Sequence, residues 1–530
     1  MKFEIKNAAQ HGVIRDLPDY ELPANAWSDG RNVLFADGYI SRVDGEELFF
    51  YPTLSATASE KIRYLEPIRG ENDYYWVYCT DTSIWYIDSG GTKTNLKTAS
   101  ASAAQWTSGF LEGLLILSNE DYATPFHPVA WVPGGAMSEL TWDSSASTTW
   151  ADVNYAARTI RTYKQYIVAL DVVENTVRRP RRVRWSHPAD AGAMPITWDE
   201  TKPQYDAGYV DLDSDPEPVI DCVRMRGDNL IYKYNSIHRM TPIGAPYIFG
   251  FAEIFSNIGA RSRNCVREFF GKHAVFGYED IVVHDGQEVV SILDNRMRKY
   301  IINNVDSDAS DLCLVAIDHA NTNVYFCYPE IGATALSQAV IWNWTENTTS
   351  IRDLDNNTYV AAGLVAPTGG SVSFDNDSIQ WDAMAGPFDT QLYSEAQRTL
   401  VFGFDDSFRS VSVKGINSTA FLNGTINSFV ERIGLPLPGE QGNIDTRELK
   451  YIYRVYIRGE GDVDLSVKIG EQFTIGGQVK WHSYTFNPST DYKIDCRVTT
   501  RIPSIRIGYN LFNKYKIHGV TLEYKMAGLR

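Results

Sequence analysis

Apolar and aromatic residues gather in short runs along most of the chain, separated by polar turns. Seven of these runs share one character: Tyr74-Tyr75-Trp76-Val77-Tyr78, Leu114-Leu115-Ile116-Leu117, Tyr166-Ile167-Val168-Ala169-Leu170, Asn229-Leu230-Ile231-Tyr232, Ala274-Val275-Phe276-Gly277-Tyr278, Val324-Tyr325-Phe326-Cys327-Tyr328 and Leu400-Val401-Phe402-Gly403-Phe404. Runs of this length, with helical periodicity poor around them, read as strands. Most of the centres lie about 40 to 60 residues apart, the last gap being longer, close to the roughly 40–50 residues of a four-stranded propeller blade. The pattern predicts an all-β chain whose body is an irregular β-propeller of about six or seven blades.

The flanking pattern adds detail. Residues 32–35 and 39–43 flank the tight turn Ala36-Asp37-Gly38 and predict a hairpin. A strand from this N-terminal region is expected to close the circle of blades, which would remove an exposed edge. Another hairpin is expected over Thr80-Asp81-Thr82-Ser83, and short helices near 99–105 and 295–303. Two long insertions are expected, at 125–156 (Ser, Thr, Trp and Pro) and at 366–395 (Gly, Ser and Asp). The body is assigned to residues 1–434. The run Leu435-Pro436-Leu437-Pro438-Gly439-Glu440-Gln441-Gly442 reads as a linker. Six strand candidates follow, at 451–458, 463–469, 481–486, 496–500, 504–508 and 515–524, and predict a small β-sandwich-like domain over 443–530.

Composition supports a folded chain and adds a charge asymmetry. Of 530 residues, 44% are hydrophobic and 13% aromatic, which excludes a disordered chain. Net charge is −17. From Glu440 onward 14 Lys and Arg face 10 Asp and Glu, a net of +4, so residues 1–439 carry −21. Such an acidic body argues against tight DNA binding and suits a surface past which DNA slides. The six cysteines form no C-x-x-C pair and are expected as buried thiols. No signal peptide and no apolar run long enough for a membrane helix is visible.

Candidate chemistry is sparse. Arg178, Arg179, Arg181, Arg182 and Arg184 form the densest cationic cluster, in alternation with Val183 and Trp185. They fit a subunit or adaptor contact, a phosphate grip, or pairing with the chain's own carboxylates. Asp211, Asp213, Asp215 and Glu217 form an acidic loop without the glycine and distal glutamate of an EF-hand. It is read as a solvated or channel-facing loop rather than a calcium site. H-E-x-x-H, G-x-S-x-G and the sialidase S-x-D-x-G-x-T-W box are missing from the sequence, and the nine histidines have no ligand spacing. The sequence offers no catalytic residue, metal site or cofactor motif.

The N-terminal stretch Gly12-Val13-Ile14-Arg15-Asp16-Leu17-Pro18, with Ala26-Trp27-Ser28-Asp29-Gly30-Arg31-Asn32-Val33 and Phe35-Ala36-Asp37-Gly38-Tyr39-Ile40-Ser41-Arg42-Val43, resembles a family of tail proteins of short-tailed bacteriophages. The chain end, Lys516-Ile517-His518-Gly519-Val520-Thr521-Leu522-Glu523-Tyr524, is similar as well. The family is the tail nozzle or hub, also described as tail tubular protein B or packaged-DNA stabilisation protein. The resemblance covers both ends and reaches the middle only through its repeat character.

It implies a virion protein assembled in the bacterial cytoplasm, a homo-oligomeric ring of six subunits below the portal and tail adaptor protein. Fibre, spike or needle proteins would be neighbours, and double-stranded DNA would make transient, non-specific contact in the channel. No membrane insertion and no cofactor is expected. The competing expectation is a carbohydrate-binding or depolymerising propeller on a phage tail or bacterial surface.

Overall fold

The computed structural model describes residues 1–50, 61–70, 74–81, 83–89, 91–98, 105–119, 126–365, 397–404, 411–414, 425–439, 446–510 and 513–528. The expected insertion at 366–395 lies outside them, as do most of the helix expected at 99–105 and the last three residues of the expected linker. The described chain is all-β. Its one α-helix, Arg298–Asn304, falls where the sequence predicts one.

Five separate antiparallel four-stranded sheets follow one another along the chain, and two further four-stranded groups, numbered VI and VII with them, lie within one 12-stranded sheet. Sheet I comprises Ile62–Arg69, Tyr74–Thr80, Ser83–Asp88 and Lys93–Thr98, and sheet II Trp106–Leu111, Leu114–Asn119, Val129–Trp131 and Ser138–Glu139. Sheet III comprises Tyr155–Tyr163, Tyr166–Glu174, Val177–Trp185 and Gly208–Asp211, and sheet IV Asp221–Met225, Asp228–Tyr232, Ser236–Pro242 and Phe249–Ser256. Sheet V comprises Val266–Phe269, Lys272–Phe276, Ile281–His284 and Val289–Ser291. Sheet VI takes Leu314–Asp318, Asn323–Tyr328, Leu336–Asn343 and the first half of the long strand Thr348–Val365. The second half of that strand opens sheet VII, with Gln397–Phe404, Val411–Lys414 and Glu46–Phe50.

Each of the seven runs lies in the second strand of one of these sheets, Ala274–Tyr278 running two residues past its end. A second strand has hydrogen-bonded neighbours on both sides and other sheets over its faces, so nearly every residue must be apolar. Leu114–Asn119 and Asn323–Tyr328 are buried throughout. The cores lie between neighbouring sheets: Ile116, Ile160 and Ala169 between II and III, and Val168, Val183, Ile231 and Met240 between III and IV. Full burial of one such side chain stabilises by about 1.5–3 kcal/mol.

The first strands of successive sheets touch from I through VII, and the first strand of VII lies against that of I. There Trp76 Nε1 donates to the carbonyl of Leu364 at 2.8 Å, and the rings of Tyr64 and Tyr359 meet at a tilt, centroids 4.8 Å apart. A Cβ on Gly363 would fall 2.5 Å from both Pro67 Cβ and Trp76 Cζ2, so this approach needs glycine. The strand Glu46–Phe50, from the N-terminal region, supplies the last strand of sheet VII. Buried Glu46 meets buried Arg352 at 2.8 Å.

Residues 125–156, expected as an insertion, are largely built into the fold. They supply the outer two strands of sheet II and the hairpin Thr141–Asp143/Thr148–Thr149. Trp142 and Trp150 pack edge to face at 5.5 Å, and Trp150 on Trp198 at 4.9 Å. Strands of two or three residues are too short to show alternation, and the tryptophans are core.

The remaining strands form a six-stranded sheet and an arm that continues the 12-stranded sheet through a parallel pair between Asp29–Arg31 and Thr348–Val365; the two share one hydrophobic core, with Ile452, Val455, Val467, Ile507 and Leu522 within it. One runs Val33–Ala36, Tyr39–Arg42, Lys516–Gly528, Leu449–Glu460 and Ile494–Thr500, with Lys2–Ile5 also on Lys516–Gly528. The other runs Asp29–Arg31, Ser428–Arg432, Ser504–Tyr509, Leu465–Glu471 and Lys480–Phe486. All six predicted C-terminal strands are thus present, and N-terminal strands join them. Within residues 1–42, Lys2–Ile5 and Tyr39–Arg42 pair with Lys516–Gly528, whereas Asp29–Arg31 pairs with Ser428–Arg432 and, in parallel, with Thr348–Val365.

That junction explains the motif residues of the first 45 positions. Gly12 has φ +67, and a Cβ there would lie 2.7 Å from the carbonyl oxygen of Thr349. Trp27 Nε1 donates to the Ala8 carbonyl at 2.7 Å. Asn32 Nδ2 donates to Asp353 at 2.8 Å and to the Asn427 carbonyl at 3.0 Å, while its Oδ1 accepts from the Asp353 N–H at 2.8 Å.

Candidate functional site where the first strands meet

The two clusters chosen from sequence face each other. Strand Val177–Trp185 pairs with Gly208–Asp211 in a register that sets Arg182 opposite Asp211. Arg182 grips Asp211 with bonds of 2.8 and 2.7 Å, and also reaches Glu174 at 2.7 Å. Arg184 binds Glu174 at 2.8 Å and Glu200 at 2.7 Å, Arg181 meets Asp213 at 3.1 Å, and Arg178 binds Asp171 at 2.8 and 2.6 Å. Arg179 is exposed. Bonds donated by Arg182 hold the Asp211 carboxyl below the usual range. Of the three readings open at the sequence level, pairing within the chain is the one seen for these four arginines.

The rest of the acidic loop encloses a lysine. Lys233, fully buried, donates to the Leu212 carbonyl at 2.8 Å, the Asp215 carbonyl at 3.2 Å and Asp215 Oδ1 at 2.7 Å. Ser236 donates to Asp215 Oδ2 at 2.7 Å, and Glu217 accepts from the Asn235 N–H at 2.9 Å. Burial alone would raise the Asp215 pKa, but the bonds from Lys233 and Ser236 hold it low. An ammonium thus occupies the place where such a loop would gather a cation. Among the described residues no group of three or more His, Cys, Asp or Glu side chains is arranged for a metal ion.

A different place gathers chemistry. The first strands of all seven sheets line a cavity of about 470 Å³. Four guanidinium groups, on Arg161, Arg224, Arg267 and Arg398, share it with the carboxylates of Glu66 and Glu268. Arg161 is neutralised from behind. It binds Asp221, whose side chain is 0% exposed, at 2.7 and 2.9 Å, and reaches Asn264 Oδ1 at 2.8 Å and the Ser108 carbonyl at 2.9 Å. The Asn264 N–H donates to Asp221 at 2.9 Å, so one buried network ties sheets II, III and IV to the entry of sheet V. Burial pushes the Asp221 carboxyl up, but Arg161 more than offsets this and holds it below its usual range.

Beside the cavity a neutral chain of hydrogen bonds joins sheets IV and V. Tyr232 Oη lies 2.5 Å from His273 Nδ1 and 2.8 Å from His284 Nε2. His273 Nε2 lies 2.9 Å from the Arg224 carbonyl, and the Gly286 N–H reaches His284 Nδ1 at 3.3 Å. Only one proton placement satisfies all four. Gly286 donates to His284, His284 Nε2–H to Tyr232, Tyr232 to His273 Nδ1, and His273 Nε2–H to the carbonyl. Both imidazoles are therefore uncharged, and burial lowers each to a pKa of about 4.

The cavity arginines escaped the sequence reading because single charges in short strands look like ordinary solvent-facing positions. One signal was present: the tripeptide Cys-Val-Arg occurs at 222–224 and again at 265–267, at the first strands of successive sheets. All six cysteines are buried and unpaired. No described helix is long and apolar enough to cross a membrane.

No protein-family model matches the chain, and no curated protein matches it in sequence. Among solved structures it is similar to the AfRom2 CNH domain at 8% identity and a TM-score of 0.35, over 70% of this chain and 97% of that one. A likeness at that level carries no argument.

Proposed function

We propose that the seven sheets are the blades of a closed seven-bladed β-propeller and that the two remaining sheets form a sandwich fixed to it. The chain is then a structural subunit of a tail nozzle in a short-tailed bacteriophage. Six copies form a ring under the tail adaptor, beside fibre, spike or needle proteins, and its channel holds back and then conducts the genome. The role is mechanical and electrostatic rather than catalytic.

The observation that carries this reading concerns the two ends. The stretches that resemble the nozzle family lie more than 460 residues apart, yet Ile40 pairs with Ile517 and Ser41 with Lys516 in one sheet. A net charge of −17 adds support, since a negative wall lets duplex DNA slide without capture. Electron micrographs of the purified full chain test the reading. Six-fold rings with an open centre are expected, and particles of single propellers at all concentrations would overturn it.

A further inference from the structure

We infer that the cavity at the meeting of the seven first strands binds a small oxyanion, the carboxylate or phosphate group of a soluble ligand, through Arg267 with Arg224 and Arg398. The inference does not depend on the ring reading. It starts from a charge contrast: the chain is strongly acidic, yet this cavity carries more guanidinium than carboxylate.

The carboxylates nearby are already engaged. Asp221 is taken by Arg161. Glu66 Oε2 accepts from the Tyr64 hydroxyl at 2.8 Å, and Glu268 Oε1 from the Gly271 N–H at 2.9 Å. Arg267, half-buried, makes only two long bonds, to the Tyr359 hydroxyl at 3.3 Å and its neighbour's carbonyl at 3.5 Å. Arg224 Nε donates to the Arg226 carbonyl at 3.1 Å, and Arg398 is exposed. Among the described residues, none of these three lies within ion-pair distance of a carboxylate.

A half-buried guanidinium with spare N–H donors is costly unless an acceptor reaches it. Its planar fork matches the two oxygens of a carboxylate or phosphate, and partial exclusion of water strengthens the bonds. His319 stands beside Arg398 and titrates below its ordinary value, through burial first and Arg398 second, so it adds a neutral donor rather than a charge. The volume suits a small molecule rather than a polymer strand.

The test is calorimetric titration of the full chain with inorganic phosphate, acetate and glucuronate, at ionic strength held constant with sodium chloride. One saturable site per chain is expected with phosphate or with the carboxylates, and the arm that saturates names the group. Arg398→Gln, on an exposed position that does not threaten folding, is expected to weaken binding roughly tenfold, and Arg267→Gln to abolish it. Arg454→Gln, whose guanidinium pairs with Asp495 elsewhere, leaves binding unchanged. Lack of saturation with all three probes overturns the inference, as does binding that neither cavity variant alters.

Discussion

The hydrogen-bond chain through His273, Tyr232 and His284 makes the contact between sheets IV and V sensitive to acid. Both imidazoles are neutral in the fold with pKa values of about 4, below the ordinary 6.5. The sign follows from linkage. Above pH 6.5 neither the closed nor the opened state carries the extra protons, and the contact has its full stability. As pH falls from 6.5 towards 4, the opened state takes up protons that the closed state refuses, so opening becomes easier. The slope is about 1.4 kcal/mol per pH unit for each imidazole, on the order of 3 kcal/mol per imidazole across the window.

Tyr232→Phe acts on the same chain without any change of pH. It strands the Nε2–H of His284 and the Nδ1 of His273, at about 1–3 kcal/mol for each unsatisfied group. Amide hydrogen exchange, read by mass spectrometry on peptides from Asp228–Tyr232 and Lys272–His284 and corrected for intrinsic rates, reports local opening. Protection in these peptides is expected to fall steeply between pH 6.5 and 4.5, while peptides from Leu465–Glu471 change little. Protection that stays flat over that range, or a Tyr232→Phe variant within about 0.5 kcal/mol of the parent at pH 7, would refute the neutral-chain reasoning.

Four further perturbations probe the frame. Gly363→Ala drives a methyl group into Pro67 and Trp76 and is expected to cost about 1–3 kcal/mol, read as a fall in the denaturant midpoint; an unchanged midpoint would contradict the close approach of sheets VII and I. Arg352→Met removes the buried ion pair with Glu46 and should cost about 3–5 kcal/mol, whereas the double variant with Glu46→Gln recovers much of that, a coupling read from a double-mutant cycle. Lys233→Met removes the ammonium that the Leu212 and Asp215 carbonyls and the Asp215 carboxylate share, and should destabilise by about 2–4 kcal/mol. Arg181→Ala, at an ion pair whose aspartate is 63% exposed, should cost less than about 1 kcal/mol by the same assay.

What could be read from sequence follows from coverage. A strand in the middle of a sheet, with another sheet over each face, must be apolar along its length, and all seven such runs stand out in the sequence. Edge strands such as Ser138–Glu139 carry no such demand and passed as an insertion. The strand Thr348–Val365 serves two sheets, its partner changing at the irregularity around Asn357–Tyr359, and no periodicity marks that handover. The pairing of Lys2–Ile5 with Lys516–Gly528 is set by three-dimensional proximity alone. The arginine cluster and acidic loop were visible as charge. That Arg182 and Asp211 satisfy each other depends on a cross-strand register that composition does not contain. The cavity arginines were hidden for the same reason: four strands from four sheets bring them together from positions 161 to 398.

The measurement that bears most directly on the nozzle reading is the native mass of the full chain in solution. The account predicts a species at six times the 59.7 kDa of one chain, favoured as concentration rises. A mass that stays at one chain over the whole concentration range would contradict it.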